Sequence, residues 1–449
     1  MNARFVPPHP PRGAGPVPVW RGFFGERGRT AIFGWSQAAF TEWHIRRNVL
    51  GYRVHIPLHP DAVQRVLLDN AANYAKPDIV KKILAPMIGR GLLSADGPLW
   101  RDQRRIVAAS FAPPAIDALA PAFARAARAT MADWRAGEMR DMAVQATATT
   151  MRIIADTLFA GDPRLASEDA MRHIAAALAG FGEARLQALL RLPLMPLSRK
   201  GRAGARGRIY LRTALADIVR DRLAKDDADD FPGRLIHALG ARFEAKEAFD
   251  IAVDNAATFY LAGHETTANA LIWTLYLLSE QQELQEQAAA EARAALATGA
   301  DGSALLDRLP LLRQILDESL RLYPPAPRFD RQAIAADRLG DVDVAPGDLV
   351  SIWPWLIHRH SKLWDDPDAF DPARFEPAAK AKLHRFQYLL FGGGPRVCVG
   401  ARFSTIEALT ILASWLGEWR FRPSGRPVRP AGLVTLRPAD GLPLRIERR

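Results

Sequence analysis

The sequence predicts a mainly α-helical fold with small β-sheets, and three observations carry that prediction. Residues 114–226 are rich in Ala, Leu, Arg and Met with apolar positions three and four apart, the period of helices with one buried face. From Glu247 to about Ser279 the chain is apolar on nearly every face, through AATFYLAG and ALIWTLYLL, so this helix must run through a core. Alternation of period two is confined to short pieces: YRVHIPL (52–58), RFDRQAI (328–334) and DRLGDVDVAPGDLVSIWPW (337–355).

Taken in order, residues 1–30 form a proline-rich leader and 31–449 a single domain, since no tandem repeat, low-complexity tract or linker divides them. The strand at 52–58 precedes the helices of 114–226. Within these, LQALLRLPLMPLSRKGRAGARGR (186–208) shifts abruptly from apolar to basic and reads as a connection between two helices; a lid, or contact with lipid at 186–197, is the other reading. The helix from Glu247 spans about 45 Å at the standard rise. Another covers roughly 309–322 and stops before Pro324 and Pro325, which forbid its continuation. A hairpin-like β region follows, with its turn at Pro346–Gly347. Irregular chain then leads to a glycine-rich loop and a last helix from about Ala401.

Composition narrows the function. Apolar residues make up 49% and charged residues 24% of 449, as in an ordinary globular protein. A single cysteine excludes an intramolecular disulfide and any four-cysteine zinc or iron–sulfur site, and points to a reducing compartment. The formal charge of +11 suits a basic surface or an acidic partner, and no finger, RNP or OB-type signature accompanies it, so nucleic acid is not expected. The leader MNARFVPPHPPRGAGPVPVW lacks the uninterrupted apolar segment of a signal peptide, and no run of 18 apolar residues reads as a membrane span. The expectation is a soluble, cytoplasmic, monomeric protein.

The lone cysteine lies in FGGGPRVCVG (391–400), a loop whose glycines let the backbone pass close to something large. Beyond it, Phe403, Ile406, Leu409, Ala413 and Leu416 mark a packed helix, which puts the Cys398 thiol near a helix amino end. Backbone N–H groups and the dipole there favour an anionic sulfur. Such a thiolate is a metal ligand or a nucleophile, and the nucleophile needs a histidine base that sequence does not reveal. The spacing fits neither GxGxxG nor GxxxxGK[ST], the phosphate-binding loops.

At every fixed position, Phe391, Gly394, Arg396, Cys398 and Gly400, this loop resembles the FxxGxRxCxG signature of cytochrome P450 haem-thiolate monooxygenases. Other motifs of that family follow in its order. AGHETT (262–267), in the core helix, is similar to its oxygen-activation motif, with Glu265 and Thr266 as proton-delivering acid and alcohol; Thr266 is also placed to bond the carbonyl near Ala262 and bend the helix. ESLR supplies the Glu318–Arg321 pair, three apart on one helical face, and PARF (372–375) the later Arg374 that joins it, with Ala373 where the family often has Glu. GPLWRDQRR (97–105) resembles the WxxxR helix, with Trp100 and Arg104 placed for haem propionates, as are Arg396 and Arg331. A solvated strand arginine is the other reading of Arg331.

The resemblance covers roughly residues 85–415. It implies the P450 fold with a long central helix crossing the haem, haem b as cofactor, and Cys398 as the ligand that pushes electron density onto iron. It implies a monooxygenase that takes O2 and hydroxylates a hydrophobic small molecule such as a fatty acid, terpenoid, steroid or hydrocarbon, in a pocket including Leu261, Ala262, Ala326 and Val434. With no dinucleotide fingerprint and no iron–sulfur cysteines, electrons must come from a separate ferredoxin and flavin reductase. Arg101, Arg105, Lys362, Arg385 and Arg402 are the cations expected to receive it. A haem-thiolate peroxygenase using H2O2 and a non-catalytic haem sensor are the alternatives.

Overall fold

In the computed structural model, residues 4–15, 30–49, 51–179, 183, 187–188, 192–225, 230–432 and 434–449 are described. The leader read over 1–30 and the connection read over 186–208 lie partly outside them. The chain divides into two compact units: Met1–Ala75, Phe123–Thr149 and Thr266–Arg449 form the first, and Lys76–Ala122 with Thr150–Glu265 the second. The fold is mainly helical with small sheets, as the periodicities predict.

The first unit carries the sheets. Its five-stranded sheet runs in the order His44–Val49, Tyr52–Pro57, Leu349–Ile352, Phe329–Ala333, Tyr74–Ala75. Every pairing is antiparallel except that of Tyr52–Pro57 with Leu349–Ile352, where Val54 lies opposite Leu349. No hairpin sets the register of that parallel pair. Asp348 does, its carboxylate accepting from Arg53 Nε at 2.8 Å and lying 3.1 Å from His55 Nε2.

The same carboxylate explains a departure from the hairpin read at Pro346–Gly347. Gly347 does turn there, with φ of +84°. However, Val342–Val344 pairs back onto Asp337–Leu339, and Leu349–Ile352 pairs with Phe329–Ala333. The turn therefore joins two sheets. Asp348 also accepts from Ala345 N at 2.9 Å, which ties the turn to the strand leaving it.

Leader residues are bonded into this unit: Tyr323 Oη donates to Pro8 O, Phe370 N to Phe5 O, and Arg12 pairs with Asp368 at 2.6 Å. Two helices dominate its core. Pro310–Leu322 begins on a proline and ends at Tyr323, before the two prolines that stop it. Ala401–Glu418 is buried at every position from Thr405 to Leu416.

The second unit is helical: Asp78–Ile88, Gly97–Ala108, Glu168–Ala179, Arg199–Leu223 and Phe231–Gly240. The core helix runs Ala245–Glu280, 36 residues, slightly beyond the ends read from sequence. It serves the second unit up to Glu265 and the first from Thr266.

The basic, glycine-rich stretch read as a connection is, from Arg199 onward, helix. Ser198 caps it, its Oγ accepting from Gly201 N at 2.9 Å. Gly201, Gly204 and Gly207 recur every third residue and are buried on one face, while Arg202 and Arg206 point to solvent. A Cβ on Gly207 would stand 2.1 Å from His173 O and 3.0 Å from Ala177 N. Glycine is what lets Glu168–Ala179 approach so closely, so residues that read as helix breakers are here a packing face. Replacing Gly207 with Ala tests this by sign. A glycine that merely weakens a helix would gain about 1 kcal/mol on conversion to Ala. Overpacking predicts a loss of about 2 kcal/mol instead, read as a lower urea midpoint.

Candidate functional site

The loop around Cys398 is held from both sides. Cys398 N donates to Phe391 O at 2.9 Å, Val397 N to Gly394 O at 3.1 Å, and Ser404 N to the cap residue Gly400 at 2.8 Å. Gly394 has φ of +65°, and a Cβ there would lie 1.7 Å from Leu67 O. Only glycine fits both the backbone conformation and the approach. Cys398 itself is exposed, three residues before the Ala401–Glu418 helix, and Arg396 is half-buried in the turn Gly394–Arg396. The thiol thus stands on a rigid loop at a helix amino end, where the dipole favours thiolate.

Behind it sits a buried ionic network. Glu318 and Arg321 are each 0% exposed and paired bidentately at 2.6 and 2.7 Å. Arg321 also donates to His358 O, Pro367 O and Ala369 O, while Glu318 accepts from Asp371 N at 2.9 Å. Arg374 Nε lies 3.5 Å from Glu318 Oε1. The three residues read from ESLR and PARF thus converge. Sequence missed their next partner, His358. Its Nε2 accepts from Leu389 N at 2.8 Å and its Nδ1 meets Arg321 O at 3.2 Å, so the proton sits on Nδ1. The network therefore reaches within two residues of Phe391.

On the core helix, every residue from Ile251 to Ser279 is buried except Ala262, Gly263, Glu265 and Thr266. Access is confined to the turn carrying the AGHETT motif. Glu265 and Thr266 leave the helix roughly 100° apart. His264, which precedes them in the chain, is buried, with Nδ1 2.7 Å from Tyr260 O; burial pushes its pKa below the ordinary value and keeps it neutral. In the first unit, Thr267 Oγ1 and Ser404 Oγ are 2.9 Å apart, linking this motif to the helix that follows Cys398. One turn on, Glu407 is fully buried, and burial raises its carboxyl well above the usual range.

In the second unit, Trp100 and Arg104 are half-buried on the Gly97–Ala108 helix, one turn apart. Two amides lock that helix. Asn255 Nδ2 donates to Gln103 Oε1 at 3.0 Å, Gln103 Nε2 to Arg90 O at 2.9 Å, and Leu92 N to Asn255 Oδ1 at 3.0 Å. Asp254 accepts from Arg90 N and from Arg212. A buried polar run on an apolar helix was the signal for these residues. In the first unit, Arg331 is buried on its strand, its Nη1 donating to Asp330 O at 3.0 Å, which sets aside the solvated reading.

Of the four pocket candidates, Leu261 is buried and Ala262 exposed on the core helix, while Ala326 and Val434 are exposed in the first unit. Leu436 N donates to Pro325 O at 2.9 Å, so the last two lie on adjoining segments. The residues fit an iron porphyrin by the chemistry of the donor set. One exposed cysteine sulfur stands on a glycine-tightened loop at a helix start, Arg396 and Arg331 lie in the same unit, and between Ile251 and Ser279 the core helix is accessible only within residues 262–266.

Two outcomes follow from this geometry. Gly394→Ala, forced against Leu67 O at positive φ, should cost on the order of 2 kcal/mol in urea unfolding. His358 supplies the second. Burial, reinforced by the Arg321 guanidinium, pushes its pKa from 6.5 down to about 3. The unfolded chain therefore takes up a proton below about pH 6.5 that the folded chain refuses until about pH 3. Stability falls on acidification through that window, by roughly 2 kcal/mol between about pH 6.5 and pH 5. In a His358→Asn variant the same drop should shrink by that amount.

A family model described as cytochrome P450 matches residues 40–439. The chain is 33% identical to cyclooctatin synthase of Streptomyces melanosporofaciens, over 85% of this chain and 84% of that protein. It is 31% identical to cyclooctat-9-en-7-ol 5-monooxygenase of the same organism, over 83% and 81%. The crystal structure of the cytochrome P450DA haem domain superposes with a TM-score of 0.83 at 22% identity, covering 99% of both chains, and shares the fold. The chain belongs to the cytochrome P450 family and is a monooxygenase whose cofactor is haem b.

Proposed function

We propose that this protein hydroxylates an apolar small molecule, with electrons drawn from a separate iron–sulfur ferredoxin and its flavin reductase. The observation that carries the site assignment is the placement of Cys398, the chain's one cysteine, exposed on a loop bonded to Phe391 O and packed closely against Leu67 at Gly394. Its thiolate would ligate the haem iron. The bound haem supplies oxygen activation, and everything else falls to the chain.

Arg396, Arg331, Arg104 and the Trp100 indole N–H would hold the propionates by charge-assisted and neutral hydrogen bonds. Phe391, Gly394 and Gly400 shape the loop, and Glu318, Arg321 and Arg374 brace it. Glu265 and Thr266, on the one accessible turn of the core helix, hold protons and pass them inward from solvent. Leu261, Ala262, Ala326 and Val434 are the proposed pocket wall. Support for an apolar substrate comes from this wall and from the relative named for acting on cyclooctat-9-en-7-ol. The chain holds one cysteine, which leaves no ligand set for an iron–sulfur cluster of its own. Lys362, Arg385 and Arg402 are exposed in the unit that carries Cys398, and are proposed as docking cations.

A single set of preparations tests this. Wild-type protein should be red, form a ferrous–carbonyl adduct with the thiolate-type Soret band, and turn over with NAD(P)H through a surrogate ferredoxin, with rates that fall as ionic strength rises. Cys398→Ala should lose the band and reduce turnover to background. Full haem occupancy and an unchanged spectrum in that variant would overturn the assignment of the ligand. Turnover with peroxide alone would reassign the protein as a peroxygenase.

A further inference from the structure

The second unit contains a cavity of about 130 Å³ lined mainly by apolar side chains, among them Ile83, Pro86, Met87 and Leu194. Its polar groups are engaged, with one exception. Glu183 accepts from Leu197 N and Ser198 N through Oε1 and from Ser198 Oγ through Oε2. These bonds hold its carboxyl below the usual range. Gln187 exchanges two hydrogen bonds with Met195, Nε2 to O at 2.7 Å and N to Oε1 at 3.0 Å.

Arg208 is the exception. It is half-buried and makes no hydrogen bond or ion pair among the described residues. Burial lowers its pKa, and no neighbouring acid offsets that effect. Glu183, the carboxylate that also lines the cavity, is committed to Leu197 and Ser198. After Glu183 the next Asp or Glu in the chain is Asp217, nine positions beyond Arg208 and about 13 Å further along the helix, where it pairs with Arg220. A half-buried guanidinium without a counter-ion among the described residues is costly unless a ligand brings one.

We propose that this cavity takes the anionic end of the substrate, and that Arg208 grips a carboxylate bidentately while Ile83, Met87 and Leu194 hold the adjoining hydrocarbon. A planar fork suits a carboxylate, and a lone guanidinium suits a single negative charge better than a diphosphate. The substrate class is then an apolar carboxylic acid. This rests on the reading above that the protein hydroxylates apolar molecules, and it adds the feature that selects among them.

The test compares decanoic acid, decan-1-ol and decyl phosphate by isothermal titration calorimetry on the purified holoenzyme at pH 7.5, with wild type, Arg208→Gln and Arg208→Lys. Wild type should bind decanoate about tenfold or more tighter than the alcohol. Arg208→Gln should lose that margin while its affinity for the alcohol stays unchanged and its urea midpoint does not fall. Arg208→Lys, which keeps the charge and loses the fork, should fall between. Equal affinities for acid and alcohol in wild type, or an equal loss for both in Arg208→Gln, would overturn the proposal. Preference for decyl phosphate over decanoate would overturn the choice of carboxylate. Calorimetry reads binding without turnover, so a failure here leaves the carbonyl spectrum and the haem-thiolate assignment standing. A missing thiolate band would conversely leave the ratio of acid to alcohol readable.

Discussion

The ion pair between Glu318 and Arg321 is the constraint on which the sheet-bearing unit depends. Both groups are withdrawn wholly from water, an arrangement whose desolvation cost runs to several kcal/mol per ion unless every lone pair and proton finds a partner. Here they do. The carboxylate takes two bonds from Arg321, one from Asp371 N and the nearby charge of Arg374, while the guanidinium reaches three main-chain carbonyls between His358 and Ala369. Those carbonyls belong to chain with little regular structure. The pair therefore does for that stretch what a sheet would do elsewhere.

From this centre, order passes outward by contacts of fixed direction. His358 carries it from Arg321 to Leu389, and Leu389 leads directly into the loop of Cys398. On the other side, the Trp273 ring stacks on Tyr323 at 3.8 Å, and Trp273 Nε1 donates to Leu436 O. The core helix is thereby joined to the end of the Glu318 helix. A thiolate ligand gains from such rigidity, because a sulfur free to wander would lose both its geometry and the helix-end field that keeps it ionised.

Polar groups placed in apolar surroundings recur as the organising device of the second unit too. Asp254 and Asn255 occupy buried positions on the core helix, and each satisfies a main-chain N–H of the Arg90–Leu92 turn. Gln103 completes the arrangement. The effect is to set the rotation of the Trp100 and Arg104 helix, which apolar packing alone would leave looser. Arg208 differs from all of these in having no such partner among the described residues, which is why it is proposed as a ligand group.

The sequence by itself determined the fold class, the core helix, the helices before Pro324 and after Gly400, and the family, because these rest on periodicity, helix-stopping residues and motifs of fixed local spacing. It also named Glu318, Arg321 and Arg374, since ESLR places two of them on one face and PARF supplies the third. Tertiary structure alone decided the rest. Gly201, Gly204 and Gly207 look like a loop until His173 is seen against them, because helix propensity is local and close backbone approach is not. The strand after Pro346–Gly347 leaves its neighbour because Asp348 meets Arg53 and His55 from almost three hundred residues away. His358, Gln103 and Asn255 carry no motif, and their roles exist only where distant segments bring carbonyls and amides to them. Burial of a polar atom is a property of what folds over it, and no local spacing encodes that.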